Sequence, residues 1–392
     1  MKNDKKLKVI ELFAGIGAQN AALSMSGIKY ETVAVSEIDN KTYLAYCALN
    51  NECPPNLGDI TKVERLPKCD LVTFSAPCTD ISSAGQRRGM EEGSGTRSSL
   101  LFEVARILEH TPETDRPDHL IGENVSSIIN KKNFNHFDKF IKRISCLGYS
   151  CKYCILNAKD FGIPQNRKRC FIIFNRTNNI QFPKGWELDK CMEDVLEEEV
   201  DIKYYLSQKA IDGFLLHKQK QKERGRGFGF LPLSSKDIAH TVTTKEGYRS
   251  DSNYIIQGCN QIVNLNKGKY DSNNRVYDVR GCSPTISTYQ GGDTQAKILI
   301  SNIEQKYVGR AGILVVDGKP YNIRRITPRE CFRLFGFTEE QINRVFSLQI
   351  GNKTFSNSSL YKMAGNSIVV PVLSEIFKKM FIEKTPQQYL FD

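Results

Sequence analysis

The first 180 residues alternate between short apolar runs and amphipathic stretches, and this alternation limits the folds that the chain can adopt. Runs rich in strand formers, such as KVIELF, TVAVSEID and CDLVTFSAP, are each followed by a segment with a different, helical or polar pattern. Strands that alternate with helices form βαβ units, in which a parallel sheet is covered on both faces. The pattern therefore predicts an α/β fold with a mostly parallel sheet.

The alternation ends near residue 180, and the composition of the chain changes there. Residues 181–355 are rich in Gly, Asn, Ser and Lys, and the segment AHTVTT (239–244) is echoed by CSPTIST (282–288). A helical pattern returns in SLYKMAGNSIVVPVLSEIFKKMF, close to the end of the chain. We therefore predict one domain of residues 1–180 plus 356–392, and a second, smaller, β-rich domain of residues 181–355.

Composition points to a nucleic-acid partner in a reducing compartment. The formal net charge is +11 at pH 7, and phosphate neutralisation rewards such a charge. The 12 cysteines are scattered and follow no export signal, so we expect reduced thiols and a cytoplasmic, monomeric protein. No apolar run approaches the roughly 18 residues of a membrane helix. The only Cys-x-x-Cys pair, Cys151 and Cys154, lies in a predicted strand, so we expect no metal site.

A glycine turn follows the first predicted strand. In Phe13–Gly17, FAGIG, the two glycines let a ligand approach the backbone near a helix N-terminus. Asn20 stands where the dinucleotide fingerprint has its third glycine, which argues against NAD or FAD. Glu37 and Asp59 each follow an extended piece and could bind a ribose and an adenine amino group, although either could instead cap a helix. S-adenosylmethionine, an adenosine cofactor without a pyrophosphate, fits this combination.

A cysteine stands where another strand gives way to a polar loop. Cys78 follows Pro77 at the carboxyl end of a strand, the edge at which open α/β sheets bind ligands. Glu123 ends another strand at the same edge, and Arg167 and Arg169 alternate along a further strand. A nucleophilic thiolate needs positive charge nearby. The alternatives are an ordinary buried cysteine and a solvated basic strand.

The motifs together resemble those of the DNA (cytosine-5)-methyltransferases of bacterial restriction-modification systems. FAGIG, SEID, GDIT, SAPCTDIS, ENV, QNRKR, RRITPRECFRLFGF and AGNSI occur in the family's order, from residue 11 to about residue 375. The chain departs from the family at Thr79 and Ile81, where Gln and Phe are usual. We expect this departure to alter the packing of the loop and to leave the nucleophile in place.

The resemblance implies a role for each residue that matches a motif. It makes Cys78 the nucleophile and Glu123 the acid that holds the N3 edge of cytosine. It implies that Arg167 contacts the base and that Arg169 supports the loop. It assigns the methyl-donor pocket of a Rossmann-like sheet to Phe13, Ala14, Gly15, Gly17, Glu37, Ile38, Asp59, Ile60, Pro77, Asn366 and Ser367.

The resemblance further implies methylation of a cytosine flipped out of double-stranded DNA, with residues 181–355 as the target-recognition domain. Arg226, Arg249 and Arg275 are candidate contacts there, and Ser82–Gly95 has the composition of a closing loop. A cognate restriction endonuclease would act separately. Two alternatives remain at this point, a tRNA cytosine-5 methyltransferase on the same scaffold and a catalytically silent DNA-binding relative.

Overall fold

The computed structural model describes residues 6–78, 80–81, 89–177, 180–225, 229–258, 311–316 and 319–382. Contacts between Cα atoms divide the chain into two compact units, Met1–Lys190 with Phe332–Asp392, and Cys191–Cys331. The first unit therefore contains both ends of the chain. The functional division predicted at residues 180 and 355, into a catalytic and a target-recognition domain, stays a prediction.

The first unit is built around a sheet in which four neighbouring strands are parallel. Its strands are β1 (Leu7–Leu12), β2 (Tyr30–Ser36), β3 (Leu71–Phe74), β4 (His119–Val125), β5 (Ser150–Asn157), β6 (Gln165–Asn166) and β7 (Lys168–Asn175). Six of them form one sheet in the order β2-β1-β3-β4-β7-β5. Strands β1 to β4 run parallel, and β7 is antiparallel to both β4 and β5. This arrangement confirms the predicted mostly parallel α/β sheet.

Helices separate most of these strands and also follow them. They are α1 (Ala18–Ser26), α2 (Asn40–Asn50), α3 (Leu101–His110), α4 (Lys131–Ser145), α5 (Gln208–Glu223), α6 (Pro328–Arg333), α7 (Glu339–Ser347), α8 (Asn357–Gly365) and α9 (Val370–Phe381). Helix α1 ends at Gly27, whose φ of 76° is the left-handed cap that favours glycine. Helix α2 begins at Asp39, whose side chain accepts backbone N–H bonds from Lys41 and Thr42. None of the helices in the described part of the chain has both the length and the apolar character required to cross a bilayer.

Aromatic side chains fill the core between the sheet and helices α3 and α4. The ring of Phe140 on α4 lies edge to face against Phe74, Phe102 and Phe174, with centroids 6.0, 6.1 and 5.9 Å away. All four rings are buried. Such pairs add about 0.5 to 1.5 kcal/mol each beyond the area that they bury. Because Phe74 is the last residue of β3, this core fixes the carboxyl end of that strand.

The returning C-terminal segment completes the first unit. The helical pattern of the sequence corresponds to two helices, α8 and α9, separated at Asn366–Val369. Pro371 lies at the first turn of α9, a position that proline favours because its missing N–H has no helical partner there. Helix α9 packs against α1. The break therefore leaves Asn366 and Ser367 in a short connection, outside either helix.

The second unit combines a small antiparallel sheet with a long helix. Its strands are β8 (Ala239–His240), β9 (Tyr254–Gly258), β10 (Ile313–Val316) and β11 (Lys319–Arg325), and the last three pair in the order β10-β11-β9. Helix α5, with 16 residues, was not predicted, because the sequence indicated a β-rich domain here. Its apolar period is weak because Ile211 is the only buried residue of the helix. The second copy of the echoed segment, residues 282–288, lies outside the described residues.

A buried polar network lies behind the glycine turn. The Tyr46 hydroxyl donates to Oε1 of Glu11 at 2.7 Å, and both side chains are fully buried. Nδ2 of Asn20 is 2.9 Å from Oγ1 of Thr32, 3.1 Å from the Tyr46 hydroxyl and 2.6 Å from Oε1 of Glu52. Asn20, which replaces the third fingerprint glycine, thus links α1 to β2 and α2 within the first unit.

Candidate active site

The glycine turn between β1 and α1 is held in left-handed backbone conformations. Phe13, Gly15 and Gly17 have φ values of 54°, 57° and 80°. A Cβ atom on Gly17 would lie 2.1 Å from Nδ2 of Asn50 and 2.6 Å from the Tyr46 ring, so only glycine fits. Around Gly15, by contrast, no atom of the described residues comes within 4 Å of an added Cβ. The turn therefore leaves open space beside Gly15, into which a ligand can bring polar atoms close to the backbone.

Glu37 faces this turn from the end of β2. Its Oε2 accepts the backbone N–H of Gly15 at 3.0 Å, and its Oε1 accepts that of Asp39 at 2.8 Å. Burial raises the pKa of Glu37, and these two hydrogen bonds oppose the shift. The Asn56 amide brackets the Glu37 backbone, accepting its N–H and donating to its carbonyl at 3.0 and 2.9 Å. Asn56 does not belong to any motif recognised in the sequence. Its two hydrogen bonds fix the backbone of Glu37, and so help to position the carboxylate beside the turn.

Of the next two predicted pocket residues, Ile38 has an exposed side chain, whereas the side chain of Asp59 is held by hydrogen bonds. Ile38 is 74% exposed, which is unusual for a large apolar side chain and leaves an apolar surface next to Glu37. Asp59 caps a short 3₁₀ turn, accepting from the N–H and hydroxyl of Thr61 at 3.0 and 2.9 Å, and these bonds lower its pKa. Its capping role, one of the two interpretations of the sequence, is therefore observed. An exposed apolar side chain beside a fixed carboxylate and an open glycine turn suits an adenosine group.

The remaining predicted pocket residues differ in how far they are exposed to solvent. Ala14 and Ile60 are buried, and Pro77 is half-buried at the end of β3. Asn366 is exposed at the C-cap of α8, and Ser367 is buried beside it. Asn366 is thus open to solvent, whereas Ala14 and Ile60 are packed in the apolar core.

Cys78 lies just beyond β3, half-buried against the core. Burial is the largest influence on its thiol and raises the pKa, and the negative charge of Glu123 raises it further. Arg169 and Arg167 act in the opposite direction. The predicted basic surroundings are therefore present, but burial outweighs them, and without a substrate the thiol is the favoured form. Arg87 and Arg88, which are close to Cys78 in sequence, lie outside the described residues.

Glu123 is held between a hydroxyl and a guanidinium. Strands β3 and β4 are parallel neighbours with Phe74 opposite Gly122, so the residues that follow, Ser75 and Glu123, also face each other. The Ser75 hydroxyl donates to Oε2 of Glu123 at 2.8 Å, and Nε of Arg169 lies 3.1 Å from Oε1. Glu123 is only 8% exposed. Ser75 was not predicted from the sequence. It directly precedes Ala76-Pro77-Cys78, and the register of β3 and β4 places it opposite Glu123.

The two arginines of the QNRKR motif have different surroundings. Arg169 forms the ion pair with Glu123. Arg167 is 4% exposed, and its Nη2 donates to the carbonyls of Gly365 and Ser367 at 3.2 and 2.9 Å. Its guanidinium also lies 4.8 Å from the centre of the Phe335 ring, and burial lowers its pKa. These contacts place Arg169 beside Glu123 and Arg167 against the α8–α9 connection, and the roles expected for the two arginines toward the base stay predictions.

Hydrogen bonds organise the described part of the loop after Cys78. Asp80 and Ser98 exchange two bonds of 3.2 Å, from the Asp80 N–H to the Ser98 hydroxyl and from the Ser98 N–H to Oδ2 of Asp80. The Ser127 hydroxyl donates to the carbonyl of Ile81 at 2.8 Å, and the Ile81 side chain packs into the core. Thr79 and residues 82–88, which are the first half of the predicted closing loop, lie outside the described residues.

These groups share one edge of the sheet. Because β1 and β3 are parallel neighbours with Leu12 opposite Phe74, the glycine turn and the Cys78 loop begin side by side. A thiol, a carboxyl group and a guanidinium thus lie beside an open turn that suits an adenosine. In the described ranges, no group of three or more His, Cys, Asp and Glu side chains is placed to hold a metal ion. The arrangement suits nucleophilic addition by Cys78 assisted by hydrogen bonding from Glu123.

Comparison with known proteins agrees with this chemistry. The sequence model of a family described as C-5 cytosine-specific DNA methylase matches residues 7–382. The chain is 31% identical to the type II methyltransferase M2.ScrFI of Lactococcus lactis subsp. cremoris, over 96% of this chain and 99% of that protein. It is 30% identical to the orphan methyltransferase M.SPRI of Bacillus phage SPR, over 96% of this chain and 97% of that protein.

Solved structures show the same fold at lower sequence identity. The methyltransferase EhMeth of Entamoeba histolytica superposes with a TM-score of 0.62 over 96% of this chain and 98% of its own. Its sequence is 16% identical, so the likeness concerns the fold alone.

Proposed function

Since the chain belongs to the C-5 cytosine-specific DNA methylase family, we propose that it transfers a methyl group from S-adenosylmethionine to C5 of a cytosine flipped out of duplex DNA. The observation that carries this proposal is the position of Cys78 beside the paired Glu123 and Arg169, at the sheet edge that also bears the glycine turn. We propose that the protein acts as a monomer on a specific sequence, and that any cognate endonuclease acts separately.

Cys78 is the proposed nucleophile because C5 of cytosine is too weakly nucleophilic to take a methyl group directly. Addition of the Cys78 thiolate to C6 breaks the aromaticity of the ring, and a proton from Glu123 at N3 takes up the electron density that this addition releases. C5 then carries the enamine density needed for attack on an electrophile. Loss of the C5 proton to a base, for which water is the candidate, restores the double bond and expels Cys78.

Glu123 and the thiol are coupled through charge. The negative charge of Glu123 contributes to the raised pKa of Cys78. A hydrogen bond between Glu123 and N3 of the base would reduce that charge, and the thiolate would become easier to form at the moment of addition. Arg169, 3.1 Å from the carboxylate, remains as the cation beside both groups.

The methyl donor has a defined set of proposed contacts. S-adenosylmethionine supplies, when bound, an electrophilic sulfonium methyl group. Glu37 would accept hydrogen bonds from the ribose, Ile38 would cover one face of the adenine, and the open backbone at Gly15 would admit the amino-acid part. Asp59 keeps Oδ2 for the adenine amino group, since the capping bonds to Thr61 use Oδ1.

The base must leave the duplex to meet Cys78. Flipping a nucleotide costs roughly a few kcal/mol, which closure of residues 82–95 over the site would offset.

The second unit is proposed to recognise the target sequence. Arg249, one candidate contact, forms a two-point ion pair with Asp251 at 2.8 and 2.9 Å, which engages its guanidinium within its own loop. Arg226 and Arg275 lie outside the described residues.

The proposal is tested by methyl incorporation from labelled S-adenosylmethionine into duplex DNA and into tRNA. We expect incorporation into DNA, and sequencing of the methylated cytosines would identify the target. Incorporation into tRNA alone would establish the RNA alternative, and no incorporation with intact DNA binding would establish the catalytically silent one.

Replacing Glu123 by glutamine should lower the methylation rate by about 100- to 10,000-fold, because glutamine retains the shape of the side chain but supplies no transferable proton. Single-turnover methylation measures the change. The matched control is Ser75→Ala, which removes one hydrogen bond to the carboxylate and should slow the reaction by about 10-fold or less. A Glu123→Gln variant within fivefold of the wild type would contradict the assigned role.

Replacing Ile38 by serine should weaken cofactor binding by about 10-fold or more, since covering an apolar side chain of this size contributes roughly 1.5 to 3 kcal/mol. Calorimetric titration with S-adenosylhomocysteine measures the dissociation constant. Met25→Ser on α1, where the side chain is 42% exposed, is the control and should bind as the wild type does. Equal affinities of the Ile38 variant and the control would exclude Ile38 from the pocket.

A further inference from the structure

Only the first half of helix α5 packs into the described apolar core of the second unit, although His217 in the second half lies 3.1 Å from the Ser250 hydroxyl. Ile211 is buried, and the Phe214 ring packs 5.3 Å from Phe230 and 5.4 Å from Tyr254. Beyond Phe214 the side chains of the helix are exposed, except for the partly covered Gln221. The C-terminal half of α5 therefore extends past the core that holds its first turns.

Positive charge is concentrated on this helix. Residues 208–224 contain five Lys and Arg and two carboxylates. Both carboxylates interact with glutamines on the helix itself, Asp212 with Gln208 at 2.9 Å and Glu223 with Gln219 at 3.2 Å. Within the described part of the chain, no carboxylate forms a salt bridge with a cation of α5. Among the described residues, no acidic side chain therefore neutralises the cations of this helix.

The cations divide between two sides of the helix. At about 100° per residue, Lys209, Gly213, Leu216, Lys220 and Arg224 follow one another at spacings of four, three, four and four, and form one line away from Ile211. We call this line the outer stripe. Lys218 and Lys222 instead continue the side of Ile211 and Phe214, and the Lys218 stem lies against Gly229. Each side contains one pair of like charges four residues apart.

Three features of the helix oppose its own stability. The Lys218–Lys222 and Lys220–Arg224 pairs repel by a few tenths of a kcal/mol each. Gly213 is exposed in the helix interior, where glycine is roughly 1 kcal/mol less favourable than alanine, and no described atom lies within 4 Å of a Cβ built there. Packing within the described unit therefore does not account for Gly213. A glycine between cations is expected where another molecule comes close to the helix backbone.

We propose that the outer stripe of α5 binds the phosphate backbone of duplex DNA, through Lys220 and Arg224 with Lys209 at the other end of the line. This inference rests on the proposed function, because it takes the DNA substrate as the partner. The contact is independent of base sequence, since the groups involved are cations and a bare helix backbone. It contributes affinity and position, and leaves base reading to other parts of the second unit.

The test compares two double variants that remove equal charge from opposite sides of α5. Lys220→Gln/Arg224→Gln alters the outer stripe, and Lys218→Gln/Lys222→Gln is the matched control. Binding of the full-length protein to a labelled duplex is measured by fluorescence anisotropy at several salt concentrations. Each lost phosphate contact lowers the slope of log affinity against log salt by about 0.9, so the outer variant should lose about 2 units of slope and about 10-fold in affinity. The control should lose under 0.5 units.

Each result has one interpretation. An unchanged slope in the outer variant, or equal losses in both variants, overturns the stripe as a DNA contact. An outer variant that weakens binding of tRNA and not of the duplex overturns it as well. Methylation of DNA by the wild-type protein is measured in parallel. If the outer stripe proves not to bind DNA but the protein methylates DNA, the proposed function is unaffected. A wild-type protein that binds no duplex overturns both. Thermal melting of both variants should show no loss of stability, because each removes a repulsive pair.

Discussion

Replacing Cys78 by alanine should abolish methylation of DNA, with a loss of at least about 10,000-fold, and leave the chain folded. Without the sulfur no bond to C6 forms, and the remaining groups cannot make C5 nucleophilic. The side chain is half-buried and small, so its truncation should lower the free energy of unfolding by about 1 kcal/mol or less. Loss of activity with an intact fold separates a nucleophile from a structural cysteine.

Two measurements test this expectation. Methyl incorporation into duplex DNA gives the rate, and gel analysis after incubation with a duplex carrying a mechanism-based cytosine analogue detects the covalent adduct. The adduct should form with the wild-type protein and not with the variant. Cys146→Ala, which removes an exposed thiol after α4, should behave as the wild type does. A Cys78→Ala variant with more than a tenth of the wild-type rate would disprove covalent catalysis by this residue.

Replacing Glu11 by glutamine should increase the stability of the protein at alkaline pH and leave it almost unchanged near pH 5. Burial raises the pKa of Glu11 to about 8, with a smaller contribution from the charge of Glu52, and the hydrogen bonds from Tyr46 and Asn20 act the other way. Its Oε2 is buried and has no hydrogen-bond partner among the described residues. Ionisation of this carboxyl in the folded state is therefore unfavourable.

The direction of the effect follows from proton linkage. Because the folded pKa exceeds the unfolded one, the folded state holds the Glu11 proton between about pH 4.5 and 8 while the unfolded state has lost it. The contribution to stability is complete below the unfolded pKa and is lost as the pH rises through the folded pKa. Each pKa unit corresponds to about 1.4 kcal/mol, so the wild type should lose several kcal/mol over this range that the glutamine variant keeps.

Urea unfolding of both proteins between pH 5 and 9 measures this difference. The gap between the variant and the wild type should widen up to about pH 8 and then level off, because above that pH Glu11 is ionised in both the folded and the unfolded state. Glu31→Gln, which changes an exposed acid on β2, is the control and should show a constant difference from the wild type. A Glu11 variant whose difference from the wild type stays constant over the range would show that this carboxyl is ionised at all these pH values.

Part of the site followed from the sequence because strand ends in a parallel sheet share one edge. The glycine turn, Cys78 and Glu123 each follow an apolar run, and the strand pairs β1–β3 and β3–β4 bring those ends together. The motif order also carried the family resemblance, which the family match confirms. Helix α5 was not predicted, since one buried residue in 16 leaves almost no apolar period to recognise.

The sequence by itself determined the α/β class and the residue types gathered at one edge of the sheet, because local periodicity and strand direction suffice for both. Only the tertiary structure decided that Arg169 faces Glu123, that Arg167 binds carbonyls about 200 positions further along the chain, and that burial raises the pKa of the Cys78 thiol. The physical reason is that hydrogen bonding and desolvation depend on which segments, distant in sequence, come into contact in the folded chain. Local sequence patterns do not encode these tertiary contacts.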